Sequence, residues 1–321
     1  MSPRRRAGKK LLKALLPIVL LLVLVVVAAV GWVVYGVTHP TQRGHLVTPG
    51  DFSQLSNRGL KVTDETWPNL DGTQARGWLL RGAPGAPAVV LLHRYGANRS
   101  WLLNLGVKLN ETTNFTVLWP DLRGHGENPP VAWTSFGGRE AEDTMAALDY
   151  LRTLKTAQGQ QLVGSNMGLY GTEVGAYAAL LAAVSDASVR ALVLDSVPAG
   201  PDEALRAAVR ERMGLENSFV QWLARGGMRL YFLGDYKNTP ACEAASTLSD
   251  QQVLLLTGAD ADHLRNSTTA LAQCFSNRTS VEVKNDLPLT GFNLPSATGE
   301  QEEIYDRRVI DFFDKALRAS R

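Results

Sequence analysis

The sequence predicts an α/β domain built on a mostly parallel sheet flanked by helices, preceded by one membrane-spanning helix. Two observations carry that prediction. Short apolar runs alternate with stretches of helical periodicity, the pattern of parallel strands joined by crossover helices. Near the N-terminus, from Ala14 to Val37, almost every residue is Leu, Val, Ile or Ala and none is charged.

At a rise of about 1.5 Å per residue that run can cross roughly 30 Å of hydrocarbon. The competing reading, a cleaved signal peptide, calls for an apolar core of only about 7–15 residues and a clear small-residue cleavage site. Trp32 and Tyr35 suit the interfacial belt at the far end. Arg4, Arg5, Arg6, Lys9, Lys10 and Lys13 precede the run and only Arg43 follows closely. The positive-inside rule then makes residues 1–13 a basic cytoplasmic tail, 14–37 the transmembrane helix, and the folded part extracytoplasmic. A polar, Pro- and Gly-punctuated connector fills 38–60, and 61–321 forms the domain.

Apolar residues make up 45% of the 321 and charged residues 20%, as in a folded domain rather than a disordered chain. The net charge of +2 owes much to the tail, and no basic patch points to nucleic acid. No metal or cofactor is expected. Outside the cytoplasm a disulfide between Cys242 and Cys274 would persist, although two separate buried thiols fit the sequence equally well.

The elements follow in order. Gly77–Leu80 reads as a strand after the Asp71-Gly72 turn, Ala88–Leu92 as a buried strand running into His93, and Phe115–Trp119 as another running into Asp121. Glu140–Leu154 carries Ala141, Met145, Leu148 and Leu151 at helical spacing. Strands at Gly168–Tyr170 and Ala191–Leu194 enclose a helix at Ala176–Val184, a right-handed βαβ unit. Residues 201–248 read as a helical insertion, a lid above the sheet, interrupted at Gly226-Gly227. Strands at Val253–Thr257 and Val281–Lys284 and a closing helix at Ile304–Leu317 complete the pattern.

Three loops fall at the C-terminal ends of strands, where open α/β sheets place their ligands. They are His93-Arg94-Tyr95-Gly96-Ala97-Asn98-Arg99-Ser100, Asp121-Leu122-Arg123-Gly124-His125-Gly126, and Gly171-Thr172-Glu173-Val174-Gly175. In this order they resemble the α/β-hydrolase family, most of all its serine-aminopeptidase-like branch, which includes membrane-anchored members; 134–151 and 189–198 are similar to that branch too. The resemblance covers roughly Leu60 to the end. It implies a sharp strand-to-helix elbow at Gly171–Gly175, its central residue strained and its flanking glycines allowing close packing. The family has serine at the centre, and this chain has Glu173. The family's oxyanion hole maps to the backbone amides of Tyr95 and Val174. The family's His-Gly opening is His93-Arg94 here.

For the triad acid the resemblance points to the loop after Val253–Thr257, with Asp260 the first choice and Asp262 the second. Asp195 is a third, although it reads more readily as a strand-end capping carboxylate. The family's catalytic histidine belongs around 287–296, yet none lies there or anywhere after His263. His93 and His125 read as loop-fixing residues, and His263 sits beside the acid loop.

Two functions remain. The first is a membrane-tethered, non-hydrolytic scaffold that binds a small molecule or peptide, its catalytic triad degenerate. The second is an active hydrolase of an ester, thioester or amide, with a non-standard set of Glu173, Asp260 and either His263 or His125. The missing serine and histidine favour the first, because losing either one from such a triad has cost about 10⁶ in turnover. Glu173 at a helix N-terminus gains on the order of 0.3–1 kcal/mol as an anion. It is therefore expected to be ionised at neutral pH and to fill the oxyanion hole with its own carboxylate.

Overall fold

Side chains that are apolar along a whole strand can be buried only if both faces of the sheet are covered. Val89 to Leu92 are all fully buried, and they form the middle of the sheet. The computed structural model describes residues 3–42, 44–56, 59–127, 129–233, 236 and 239–318; Arg43, used above for orientation, lies outside them. Its strands are β1 (Val62–Pro68), β2 (Gln74–Leu80), β3 (Ala86–Leu92), β4 (Thr116–Pro120), β5 (Val163–Thr172), β6 (Val189–Asp195), β7 (Gln252–Gly258) and β8 (Val281–Leu287). They form one sheet in the order β1-β2-β4-β3-β5-β6-β7-β8. β1 pairs antiparallel with β2 and β2 with β4; all other pairings are parallel.

The predicted strands are all present, most of them longer than their apolar runs, with Phe115–Trp119 shifted by one residue to Thr116–Pro120. β1 was not predicted. It is an edge strand in which Trp67 alone is buried, so its sequence is mostly polar.

The helices in chain order are α1 (Pro3–Thr38), α2 (Pro49–Ser56), α3 (Leu103–Thr113), α4 (Gly138–Thr153), α5 (Val174–Ser185), α6 (Pro201–Met213), α7 (Ser218–Tyr231), α8 (Ala241–Ser246), α9 (Asp262–Leu271) and α10 (Gly299–Arg318). α3 and α10 cover one face of the sheet through Leu105, Leu109, Val309 and Phe313. α4 and α5 cover the other through Leu148, Leu151, Ala178 and Leu180. α6, α7 and α8 form the helical insertion after β6, and the Cys242–Cys274 disulfide ties α8 to the residues following α9.

The expected interruption at Gly226-Gly227 is not there. The insertion breaks instead at Gly214, which caps α6 in the left-handed region (φ 66°), while α7 runs through both glycines. Gly227 has a packing reason: a Cβ there would lie 2.6 Å from Cγ atoms of Val30 and Val34 on α1.

α1 is one continuous helix, and the stretch Lys13–Thr38 is long and apolar enough to cross a membrane. Its residues 13–29 are exposed, whereas Val33, Val34, Val37 and Thr38 are buried in the domain. The last carbonyls of a helix lack partners within it. Here the domain supplies several: Gly36 O accepts from Arg212 Nε (3.4 Å), Val37 O from Tyr95 Oη (2.9 Å) and Thr38 O from the Thr134 amide (2.9 Å). Tyr35 O accepts from the His39 amide at 3.0 Å.

Candidate active site

β5 ends at Thr172 and α5 begins at Val174, so Glu173 carries the whole turn between them. Its backbone sits at φ 53°, ψ −113°, a region that costs a non-glycine residue about 1–3 kcal/mol. The surroundings hold it there. Its amide donates to Asp195 O and its carbonyl accepts from the Tyr177 amide, both at 2.9 Å. The flanking glycines are sterically required: a Cβ on Gly171 would collide with the Gly175 backbone, and one on Gly175 would lie 2.6 Å from the Leu92 and His93 carbonyl oxygens.

The Glu173 side chain turns inward and is only 1% exposed. Oε2 accepts a hydrogen bond from the Tyr95 amide at 3.1 Å, while Oε1 has no partner. Burial pushes the carboxyl up from 4.5 to about 7; Arg94 pulls it down, Glu211 pushes it up, and the Tyr95 amide pulls it down. Desolvation thus works against the ionised form expected at neutral pH and outweighs the pull of Arg94 and the Tyr95 amide.

Arg94, standing where the resemblance expects glycine, bridges the elbow to the insertion. Its guanidinium donates to Tyr95 O (2.9 Å) and to Glu211 of α6 (3.0 Å). It also lies 4.3 Å from the ring centre of Phe292 and 5.1 Å from that of Trp101. Arg94 thus joins the insertion, the loop after β3 and the loop after β8. Among the hollows of the described residues, one of about 20 Å³ is bordered by Trp67, Asn69 and His125, and one of about 1050 Å³ lies between β8 and α10. Glu173 lines neither of them.

Two of the three candidate acids, Asp260 and Asp195, grip the loop after β8. Asp260 Oδ2 accepts from the Thr290 amide (3.2 Å), the Thr290 hydroxyl (3.0 Å) and Asn293 (3.4 Å). Asp195 Oδ2 accepts from the Gly291 amide (2.7 Å) and the Tyr305 hydroxyl (2.5 Å), and its Oδ1 from Ser196 (2.8 Å). Burial raises the Asp195 carboxyl to about 7 against these three bonds. Asp262 opens α9 and pairs with Arg265 at 3.4 Å on the surface.

No histidine is bonded to Glu173. His93 donates from Nδ1 to Arg94 O (2.8 Å) and accepts at Nε2 from the Leu122 amide (3.0 Å), which fixes its tautomer. His125 donates from Nδ1 to Arg123 O at 2.9 Å, and burial lowers it to about 4. His263 is half-buried with its ring edge against Phe292. Burial, and secondarily Arg210, lower its pKa.

The sequence reading missed Glu211, Phe292 and Tyr305. Arg94 in place of glycine was the visible signal that something fills this space. Its partner Glu211 lies 117 residues away and shares no motif with it.

The sheet order, the antiparallel first strands and the positive-φ elbow after β5 define a protein of the α/β-hydrolase fold. The sequence matches no protein-family model and no curated protein. Solved structures similar to it include esterases. One from Pyrococcus furiosus is 16% identical over 87% of this chain and 98% of its own, with a TM-score of 0.62. A hyperthermophilic esterase of Pyrobaculum calidifontis is 16% identical, covering 82% and 89% of the two chains (TM-score 0.56). A Rhizomucor miehei esterase is 15% identical, covering 84% and 89% (TM-score 0.57).

Proposed function

We propose that this chain is a membrane-anchored α/β-hydrolase-fold protein that has lost serine-hydrolase chemistry and serves as a binding or interaction scaffold. The observation that carries this is the Glu173 carboxylate seated on the Tyr95 amide, where an acyl oxygen would have to bind. Three further features support it. The nucleophile is neither serine nor within hydrogen-bonding reach of a histidine. Asp195 and Asp260 are committed to Gly291 and Thr290. Arg94, adjacent to Tyr95, is paired with Glu211 of α6, and both act electrostatically on Glu173. The loop motifs favour the membrane-anchored, aminopeptidase-like branch as the source of this scaffold. The apolar part of α1 is the anchor, with the basic residues of its first turns in the cytoplasm and the domain outside.

The test is hydrolysis of short-chain nitrophenyl esters and thioesters by the full chain in detergent micelles, beside Glu173→Ala and Glu173→Ser. The full chain is needed because cutting at residue 40 would remove Val33, Val34 and Val37 from the core. No turnover in any of the three is expected, and Glu173→Ser alone should not react with a fluorophosphonate. Turnover that vanishes in Glu173→Ala would establish the alternative, a carboxylate-dependent hydrolase.

A further inference from the structure

α7 has two apolar faces, and the interior of the molecule uses one. Ala224, Gly227 and Met228 are buried. On another side Phe219, Trp222 and Leu230, with Leu233 just past the helix end, are 61%, 63%, 74% and 87% exposed. Together with Gly226 they repeat at three- and four-residue steps, a single stripe along the helix. Arg225 and Arg229 border it, both near Asp202 at 3.6 and 4.0 Å.

The crossing with α1 determines what the stripe faces. α1 is exposed over 13–29, about 26 Å of helix and close to the thickness of a hydrocarbon core. Its burial begins at Val30, and Gly227 of α7 seats directly on Val30 and Val34. The apolar span therefore ends at the level where α7 crosses it. Trp32 and Tyr35, on the same turns of α1, are 65% and 61% exposed. Aromatic side chains at that depth meet the headgroup boundary, where Trp and Tyr partition favourably.

We infer that α7 is an interfacial helix whose Phe219, Trp222, Leu230 and Leu233 insert into the acyl–headgroup boundary of the bilayer spanned by α1. The inference rests on the membrane reading of α1. It explains an exposed apolar stripe on a helix already packed on its other side, which water alone would disfavour. It also seats on lipid the insertion that holds Arg94, since α6 and α7 are consecutive and Glu211 belongs to α6.

The experiment is tryptophan quenching of the full chain in phosphatidylcholine vesicles carrying bromine at a shallow or a deep acyl position. Of the seven tryptophans, Trp32 and Trp222 alone are exposed, so they are the two reporters. Trp222→Phe is expected to remove roughly half of the shallow-bromine quenching, and Trp32→Phe about as much. Quenching unchanged in Trp222→Phe but reduced in Trp32→Phe would overturn the inference while leaving α1 in the membrane. Quenching unchanged in both would overturn the membrane reading as well. Trp222 quenching that emerges only when the protein is diluted in the bilayer would assign the stripe to a second copy and equally overturn it. Trp222 is exposed, so its replacement spares the core.

Discussion

Replacing Glu173 by glutamine makes the cost of burying its carboxyl measurable. A carboxyl whose folded-state pKa is raised binds its proton more tightly in the folded protein. Its favourable contribution is complete below the unfolded value of 4.5 and is lost as pH rises through about 7. At 1.36 kcal/mol per pH unit, the interval corresponds to about 3 kcal/mol. Glutamine does not titrate, and its carbonyl oxygen can still accept from the Tyr95 amide. Its NH₂ group meets the place where Oε1 has no partner, a fixed penalty of about 1–2 kcal/mol. Glu173→Gln is therefore expected to be about 1–2 kcal/mol less stable than the parent at pH 4.5 and about 1–2 kcal/mol more stable at pH 8.5. The assay is chemical denaturation of both proteins in the same micelles across that range, followed by fluorescence. Asp195, raised to about 7, and Asp121, raised to about 6, titrate in both proteins and cancel in the difference. A difference that stays constant from pH 4.5 to 8.5 would refute the argument.

Two other predictions test the frame around the site. Glu140 is fully buried and accepts from the Thr134 and Ser135 hydroxyls and the Ser135 and Gly137 amides at 2.6–2.8 Å. Glu140→Ala should cost about 3–5 kcal/mol, read as a lowered denaturation midpoint with an unchanged slope. Reducing Cys242–Cys274, which are 32 residues apart, should cost about 3–4 kcal/mol through the freed unfolded chain, lowering Tm by roughly 7–15 °C in a scan with and without reductant.

What the sequence revealed and what it concealed divide along physical lines. β3 and β4 were legible because strands covered on both faces must be apolar throughout, and the elbow because Gly171 and Gly175 are required by backbone contacts only a few residues away. β1 was invisible because an edge strand can be polar. Gly226-Gly227 was misread because a glycine that breaks a helix and one that admits a neighbouring helix look alike in sequence; the deciding atoms belong to Val30 and Val34. The Arg94–Glu211 and Asp195–Tyr305 pairs could not be read at all, since hydrogen bonds over 110 or more residues leave no local period. The upward push on the Glu173 carboxyl was out of reach for a related reason: the helix N-terminus is written in the sequence, whereas the depth of burial is a property of the assembled fold.

The bonded end of α1 has a mechanical meaning. A domain on a flexible tether samples a volume set by the length of its linker. Here the carbonyls of Gly36, Val37 and Thr38 are held by Arg212, Tyr95 and Thr134, so the helix is a stiff post continuous with the body it carries. In a bilayer, the angle of that post follows the match between apolar length and lipid thickness. Any change of angle would turn the whole domain as a lever. Tyr95 is pinned to the post by its hydroxyl and to Glu173 by its amide, which sets the elbow on the lever's axle rather than its rim.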